Sequence, residues 1–329
     1  MRVTVLGAGS WGTTVASLVS KKNETTLWAR SPDLAREIDE KHTNSQYLPD
    51  LPLPERLRAT SDLAEAVGGA DLVVVGVPTH GFRDVLEQAK ADIRPWVPVV
   101  SLSKGFEKGT LFRMTEVIKD VLPGRPAAAL SGPNIAKEIM GGMAAASVIA
   151  TEDLSVAAEL QQVLGRGLFR VYTNHDVIGC EVSGALKNVV AIAAGIGQGL
   201  GVGDNTRAAV ITRGLAELSR LGVAMGGEPP TFAGLAGMGD LMVTCISPHS
   251  RNRRVGEELG RGRKLEEIMA EMHMVAEGVK AAALVLELAQ TYDVRMPIAE
   301  HIHRVILGDE RPLDAFAGLV PPGHELDAG

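Results

Sequence analysis

Cysteine is scarce, with two residues, Cys180 and Cys245, in a chain of 329. Two thiols this far apart build no disulfide framework and do not fit a zinc site, so a reducing compartment suits the chain better. Aromatic residues make up only 4%, which leaves few platforms for stacking bases. Positive charge is not in excess. The 33 Lys and Arg face 40 Asp and Glu, for a net charge of −7, and the basic surface of a nucleic-acid binder is missing. Any phosphate pocket must therefore be built locally, from a few placed Arg or Lys residues and backbone N–H groups. Long apolar runs are absent too. The longest stretch, Val189 to Gly197, is too short to span a bilayer, and no leader-like segment precedes the strand pattern that starts at Val3. The expectation is a cytoplasmic protein with no integral membrane segment and no nucleic-acid partner. Among the eight histidines none has metal-binding spacing, and no metal is expected.

The length and an ordinary apolar content predict two domains, each able to bury a core. In the first half, short β-branched runs alternate with amphipathic stretches. Candidate strands are Val3–Leu6, Thr25–Trp28, Leu72–Val77, Val97–Leu102, Ala127–Leu130, Ala146–Ala150 and Arg170–Tyr172. Ser31-Pro32-Asp33 and Ser61-Asp62 are helix starts, and Asp153 to Leu164 carries leucines at helical spacing. This alternation predicts an α/β fold with a Rossmann-type doubly wound sheet. After about Asp176 the strand-like runs stop. Ile178, Val182, Ala185, Val189, Ile192 and Ile196 form one helical stripe, and Ile211, Leu215, Leu218 and Leu221 another. A dinucleotide-binding domain over 1–175 and an all-helical domain over 176–329 are expected.

Gly7-Ala8-Gly9-Ser10-Trp11-Gly12 matches G-x-G-x-x-G between a strand and a helix, the context that gives the motif meaning. Gly7 makes the tight turn, Gly9 lets the backbone approach a pyrophosphate, and Gly12 lets helix and strand pack closely. The helix N-terminus presents N–H groups and a partial positive charge to the anion. A site that reads NAD usually has an acid about 20 residues on, at the end of the second strand. Here the sequence is Trp28-Ala29-Arg30-Ser31. The acid is missing, and Arg30 is able to pair with a 2′-phosphate. NADP(H) is expected alongside NAD(H).

Four more segments set polar residues among glycines: Ser103-Lys104-Gly105, Ser131 to Glu138, Gly184 to Asn188, and Gly237-Met238-Gly239-Asp240 with His249-Ser250-Arg251-Asn252. With these motifs in this order, from Gly7 to about residue 318, the chain resembles the bacterial NAD(P)-dependent glycerol-3-phosphate dehydrogenases. The resemblance implies interconversion of dihydroxyacetone phosphate and sn-glycerol 3-phosphate, supply of the latter for phospholipids, and a homodimer.

Hydride transfer to a ketone builds negative charge on oxygen, which needs a proton donor and positive partners. The resemblance makes Lys187 the acid/base. It lies about 200° round the helix from Ala185, off the apolar stripe. Gly184, Asn188, Ala191 and Gly195 make a narrow face of small residues, suited to close approach of a cofactor or backbone. Asp240 and Thr244, four apart on one face, are able to bond substrate hydroxyls or orient Lys187. Lys104 is expected to touch substrate and cofactor and to lend charge to the catalytic lysine. Gly132 and Asn134 resemble the substrate loop, with Asn134 where the family often has Ser or Thr. Ser250, Arg251 and Asn252 are expected to form a fork of donors for the substrate phosphate. The expected cofactor contacts are Gly7, Gly9, Ser10, Trp11, Gly12, Arg30, Tyr47, Lys104, Ala136, Arg251, Val275 and Glu277. A related architecture, acting on β-hydroxy acids or sugar acids, also carries a Lys-Asn pair; the His249–Asn252 segment is the feature that separates the two.

Overall fold

Four consecutive apolar residues, Leu72–Val75, are buried on both faces, the pattern of a strand covered by helices on either side. Leu72 and Val74 belong to one apolar core and Val73 and Val75 to another. The computed structural model describes residues 1–272 and 276–317. The chain divides into two units, Met1–Glu181 and Val182–Gly329.

The first unit is built on eight strands: β1 (Arg2–Leu6), β2 (Glu24–Trp28), β3 (Leu57–Thr60), β4 (Leu72–Val75), β5 (Val99–Ser101), β6 (Ala127–Ser131), β7 (Ala145–Ala150) and β8 (Phe169–Asn174). Their spatial order is 3-2-1-4-5-6-7-8. The first six run parallel. β7 is antiparallel to β6 and parallel to β8. Strand order reverses at β1, between β2 and β4, and ligands of such sheets bind outside the carboxyl ends of the strands at that point. This is the doubly wound sheet the sequence predicts, with one strand more. β3 has only Leu57 fully buried, and it lies at the sheet edge, where pairing on one side suffices. It has no apolar run to reveal it.

Among its described residues the second unit is helical, without a strand. Its longest helix, Val177–Gly199, begins in the first unit. There the buried Glu181 carboxylate accepts from the Arg113 guanidinium and from the Thr115 N–H, each at 2.9 Å. Burial pushes the Glu181 carboxyl up, opposed by the Arg113 charge and the bonds from Thr115. The helix has 23 residues, enough to cross a membrane by length and composition, yet 94% of its apolar window is buried inside the protein. The apolar run of the sequence is therefore a core element. The expected stripe is buried from Val182 on, with Ile178 half-buried, and every residue from Glu181 to Gly197 is buried whichever face it is on.

What covers the small-residue face is backbone. A Cβ on Gly195 would overlap the Arg253 carbonyl, and one on Gly256 would overlap the Ile192 carbonyl. Gly199 and Gly260 repeat the relation one turn on, against Glu257 and Ile196. Helices Val177–Gly199 and Arg251–Gly260 thus touch main chain to main chain, which only hydrogen at these positions permits.

A second buried acid serves a different helix. Helix Pro297–Leu307 has no side-chain cap of its own. Glu217, from helix Asp204–Ala224 and 5% exposed, accepts from its leading Ile298 and Ala299 N–H groups at 2.8 and 3.4 Å. The bonds satisfy donors that a helix start leaves open. Burial nevertheless dominates and pushes the Glu217 carboxyl up to about 7, against an ordinary value of 4.5. A raised acid holds its proton more tightly in the folded state. Its stabilising contribution is full below pH 4.5 and lost as pH rises through about 7. Chemical denaturation of Glu217→Gln between pH 5 and 8 should therefore lose a stability decline of about 1–3 kcal/mol that the parent shows. An identical pH dependence in the two proteins would contradict this.

Candidate active site

β1, β4, β5 and β6 run parallel, so the turns that follow them share one sheet edge. Gly7 follows β1 at φ +109°, and a Cβ there would lie 2.8 Å from the Gly76 carbonyl oxygen beyond β4. A Cβ on Gly12 would overlap the Gly7 carbonyl. Gly9 differs: among the described residues a Cβ there meets nothing within 4 Å. It is the N-cap of helix Ser10–Ser20, which has no side-chain cap and no acid in its first turn. The open space and the leading N–H groups fit the pyrophosphate of a dinucleotide.

The expected cofactor residues of the first unit lie as follows. Ser10 donates to the Tyr47 carbonyl at 2.9 Å. Arg30 is exposed two residues beyond β2. Trp11 meets Phe169 edge-on at 6.0 Å. Lys104 follows β5 and donates to the Gly132 carbonyl, beyond β6, at 3.1 Å. Asn134 donates to Ser147 at 3.1 Å, and Ala136 opens the next short helix.

Asn44 escaped the sequence reading. Fully buried, it donates to the Ala8 carbonyl and to Thr13 Oγ1, each at 2.9 Å, and accepts from the Tyr47 N–H. It ties the Tyr47 segment to the glycine turn. A single Asn in a polar stretch carries no spacing that would mark it.

In the second unit, Lys187 is 7% exposed. It is ion-paired to Asp240 and donates to Thr244 Oγ1 at 2.7 Å. Thr244 Oγ1 donates in turn to the Asp240 carbonyl at 2.6 Å. A buried lysine is rare unless paired, and here both partners come from one helix, Asp240–Ile246. A π-helical turn, Leu235–Gly239, runs straight into Asp240, and such wide turns are frequent at functional sites. Asp240, 1% exposed, turns to the lysine and does not cap its helix. Cys245 is next to the cluster, and burial pushes its thiol up to about 12.

Ser250, Arg251 and Asn252 occupy the N-cap and first turn of helix Arg251–Gly260, which holds no acid there. Ser250 Oγ accepts from the Arg253 N–H at 3.3 Å, and Arg251 is exposed. Asn252 is turned inward. Its Nδ2 donates to Asn188 Oδ1 at 2.9 Å and its Oδ1 accepts from the Gly278 N–H at 3.0 Å. It cross-links three segments, a role that the sequence pattern did not reveal. Glu277 opens helix Glu277–Thr291, and Val275 lies outside the described residues.

Known proteins are similar to this chain over nearly their whole length. A glycerol-3-phosphate dehydrogenase (NAD(P)+) of Sphingopyxis alaskensis is 57% identical over 97% of this chain and 96% of its own. The chain belongs to the NAD-dependent glycerol-3-phosphate dehydrogenases. The family's N-terminal model matches residues 2–157 and its C-terminal model residues 176–317. A glycerol-3-phosphate dehydrogenase (NAD(P)+) of Bacillus subtilis is 45% identical over 99% of this chain and 96% of its own. The crystal structure of glycerol-3-phosphate dehydrogenase from Coxiella burnetii superposes with a TM-score of 0.93, at 37% identity, covering 97% of this chain and 98% of that one.

The glycine turn gives a paired test. Gly9→Ala should keep the parent melting temperature within about 2 °C, since its Cβ meets no atom of the described residues, while NADPH affinity falls at least about tenfold. Gly12→Ala should lose stability outright, by about 2 kcal/mol or more. Equal effects on melting, read by calorimetry, would contradict the division of labour.

Proposed function

We propose that Lys187, with Asp240 and Thr244, is the proton-transfer group with which this NAD(P)-dependent dehydrogenase interconverts sn-glycerol 3-phosphate and dihydroxyacetone phosphate. The carrying observation is the buried Lys187–Asp240 pair, closed by Thr244. A bound nicotinamide cofactor supplies or takes the hydride. In the reducing direction the Lys187 ammonium donates a proton to the former carbonyl oxygen; in the oxidising direction the neutral amine takes it back. The Asp240 carboxylate stabilises the ammonium, and Thr244 fixes its direction. Both partners lie one turn apart on a single helix, so the lysine head is held without freezing a long chain by chance contacts.

The first turn of helix Arg251–Gly260 is the reading for the substrate phosphate. Ser250 and Arg251 offer a hydroxyl and a guanidinium at a helix N-terminus, where an anion is favoured. This supports a phosphate substrate over the carboxylate of a hydroxy acid. Lys104, Gly132 and Asn134 are read as the substrate loop of the first unit. Arg30, Tyr47, Ser10 and the glycine turn, with Ala136, Arg251, Val275 and Glu277, are read as the cofactor contacts. A homodimer, a cytoplasmic location and supply of glycerol 3-phosphate for phospholipids belong to the same reading, carried by the family likeness.

Lys187→Ala should lower kcat by about 10²–10⁴ and leave NADPH affinity within about twofold, as measured by fluorescence titration. A near-normal kcat would remove Lys187 from the role. Arg30→Asp should move the kcat/KM preference from NADPH toward NADH by at least about tenfold, because an acid repels the 2′-phosphate that the guanidinium attracts. An unchanged ratio would show that Arg30 is only a solvated charge.

A further inference from the structure

We propose that Ser147 is a positioning residue that makes the site select for the free hydroxyl of its three-carbon substrate, by fixing which side of the Asn134 amide the substrate meets. The proposal rests on the reading of Asn134 as a substrate contact.

Ser147 is in the middle of β7 and is fully buried. Its Oγ donates to the Ser131 carbonyl at 2.8 Å and accepts from Asn134 Nδ2 at 3.1 Å. A hydroxyl has one proton, and a carbonyl only accepts. The proton is therefore committed to Ser131, and a lone pair faces the amide. Only the NH₂ side of Asn134 satisfies that lone pair; a reversed amide would set oxygen against oxygen in a buried place, at a cost comparable to a lost hydrogen bond. The orientation leaves Asn134 Oδ1 as the atom turned away from Ser147, buried and without a hydrogen-bond partner among the described residues.

The loop geometry holds this relay in place. Gly132, between the two residues that Ser147 bonds, has φ +137°. A Cβ there would approach Ser147 Cα to 3.1 Å and its Oγ to 3.3 Å. The same glycine's carbonyl accepts from Lys104, so the loop is fastened by one side chain from the turn after β5 and one from within β7.

The consequence follows from the substrate's own inventory. In dihydroxyacetone phosphate the phosphate and ketone oxygens accept, and the free hydroxyl alone donates. An acceptor at Oδ1 is matched by that hydroxyl and by nothing else on the molecule. A site with a committed acceptor discriminates against an analogue lacking the donor, because the buried acceptor is then left unpaired.

The test compares kcat/KM for dihydroxyacetone phosphate with that for hydroxyacetone phosphate, the same ketone without the hydroxyl. Ser147→Ala should reduce the preference for the hydroxylated substrate by about five- to twentyfold, through KM, with NADPH affinity unchanged. Added to Asn134→Ala, it should remove nothing further. Should the alanine variant not fold, Ser147→Cys keeps nearly the same volume, accepts poorly, and gives the same reading. A preference retained in the Ser147 variants but lost in Asn134→Ala would overturn the proposal alone. The same loss in both backgrounds would also overturn it, since Ser147 would then act by packing. A preference retained in Asn134→Ala would overturn the reading of Asn134, and the proposal with it.

Discussion

The main-chain contact between helices Val177–Gly199 and Arg251–Gly260 is the constraint on which the second unit's chemistry depends. Side chains can repack when a neighbour changes, but two backbones in contact have no slack. One helix carries Lys187 and Asn188, and the other begins with Ser250, Arg251 and Asn252. Because glycines interlock from both sides, Lys187 and the first turn of helix Arg251–Gly260 keep a fixed separation. The Asn188–Asn252–Gly278 bonds lie at the same junction and fix the rotation of the two helices as well as their spacing.

Charge inside this unit is handled in two ways. Lys187 and Asp240 are buried together, and each compensates the other. Removing one partner would leave a buried charge uncompensated, a far larger penalty than the loss of a surface pair. Among the described residues Glu217 has no cation bonded to it, only backbone N–H groups and the more distant Arg220. Its proton affinity rises accordingly. The same degree of burial thus yields a fixed ion pair at one place and a titrating acid at another, and the difference is the partner.

Much of this was legible from residue order. The glycine turn, the strand before it and the missing acid at Arg30 announce a dinucleotide edge, because each glycine answers a local steric demand. The spacing of Asp240 and Thr244 puts them on one helix face, and the sequence already reads them as able to orient Lys187. What the sequence could not reveal depends on contacts between distant segments. β3 is held by pairing at an edge and not by an apolar pattern. Asn44 and Ser147 look like ordinary polar residues until the chain brings the Ala8 carbonyl and the Asn134 amide to them. Asn252 was placed among the phosphate donors by its neighbours, while its side chain is occupied inside the fold. The narrow face of small residues was readable as a place of close approach, but nothing in it said that the visitor was another helix.

Cys245 sits beside the lysine cluster, with its thiol held protonated well above neutral pH. Thiols react with oxidants and electrophiles as thiolates. A sulfur one residue from Thr244 would otherwise be the weak point of the centre, since an oxidised form would add bulk and charge where the Lys187 head is held. Burial that serves the ion pair also disfavours the thiolate at Cys245, the form that oxidants and electrophiles attack.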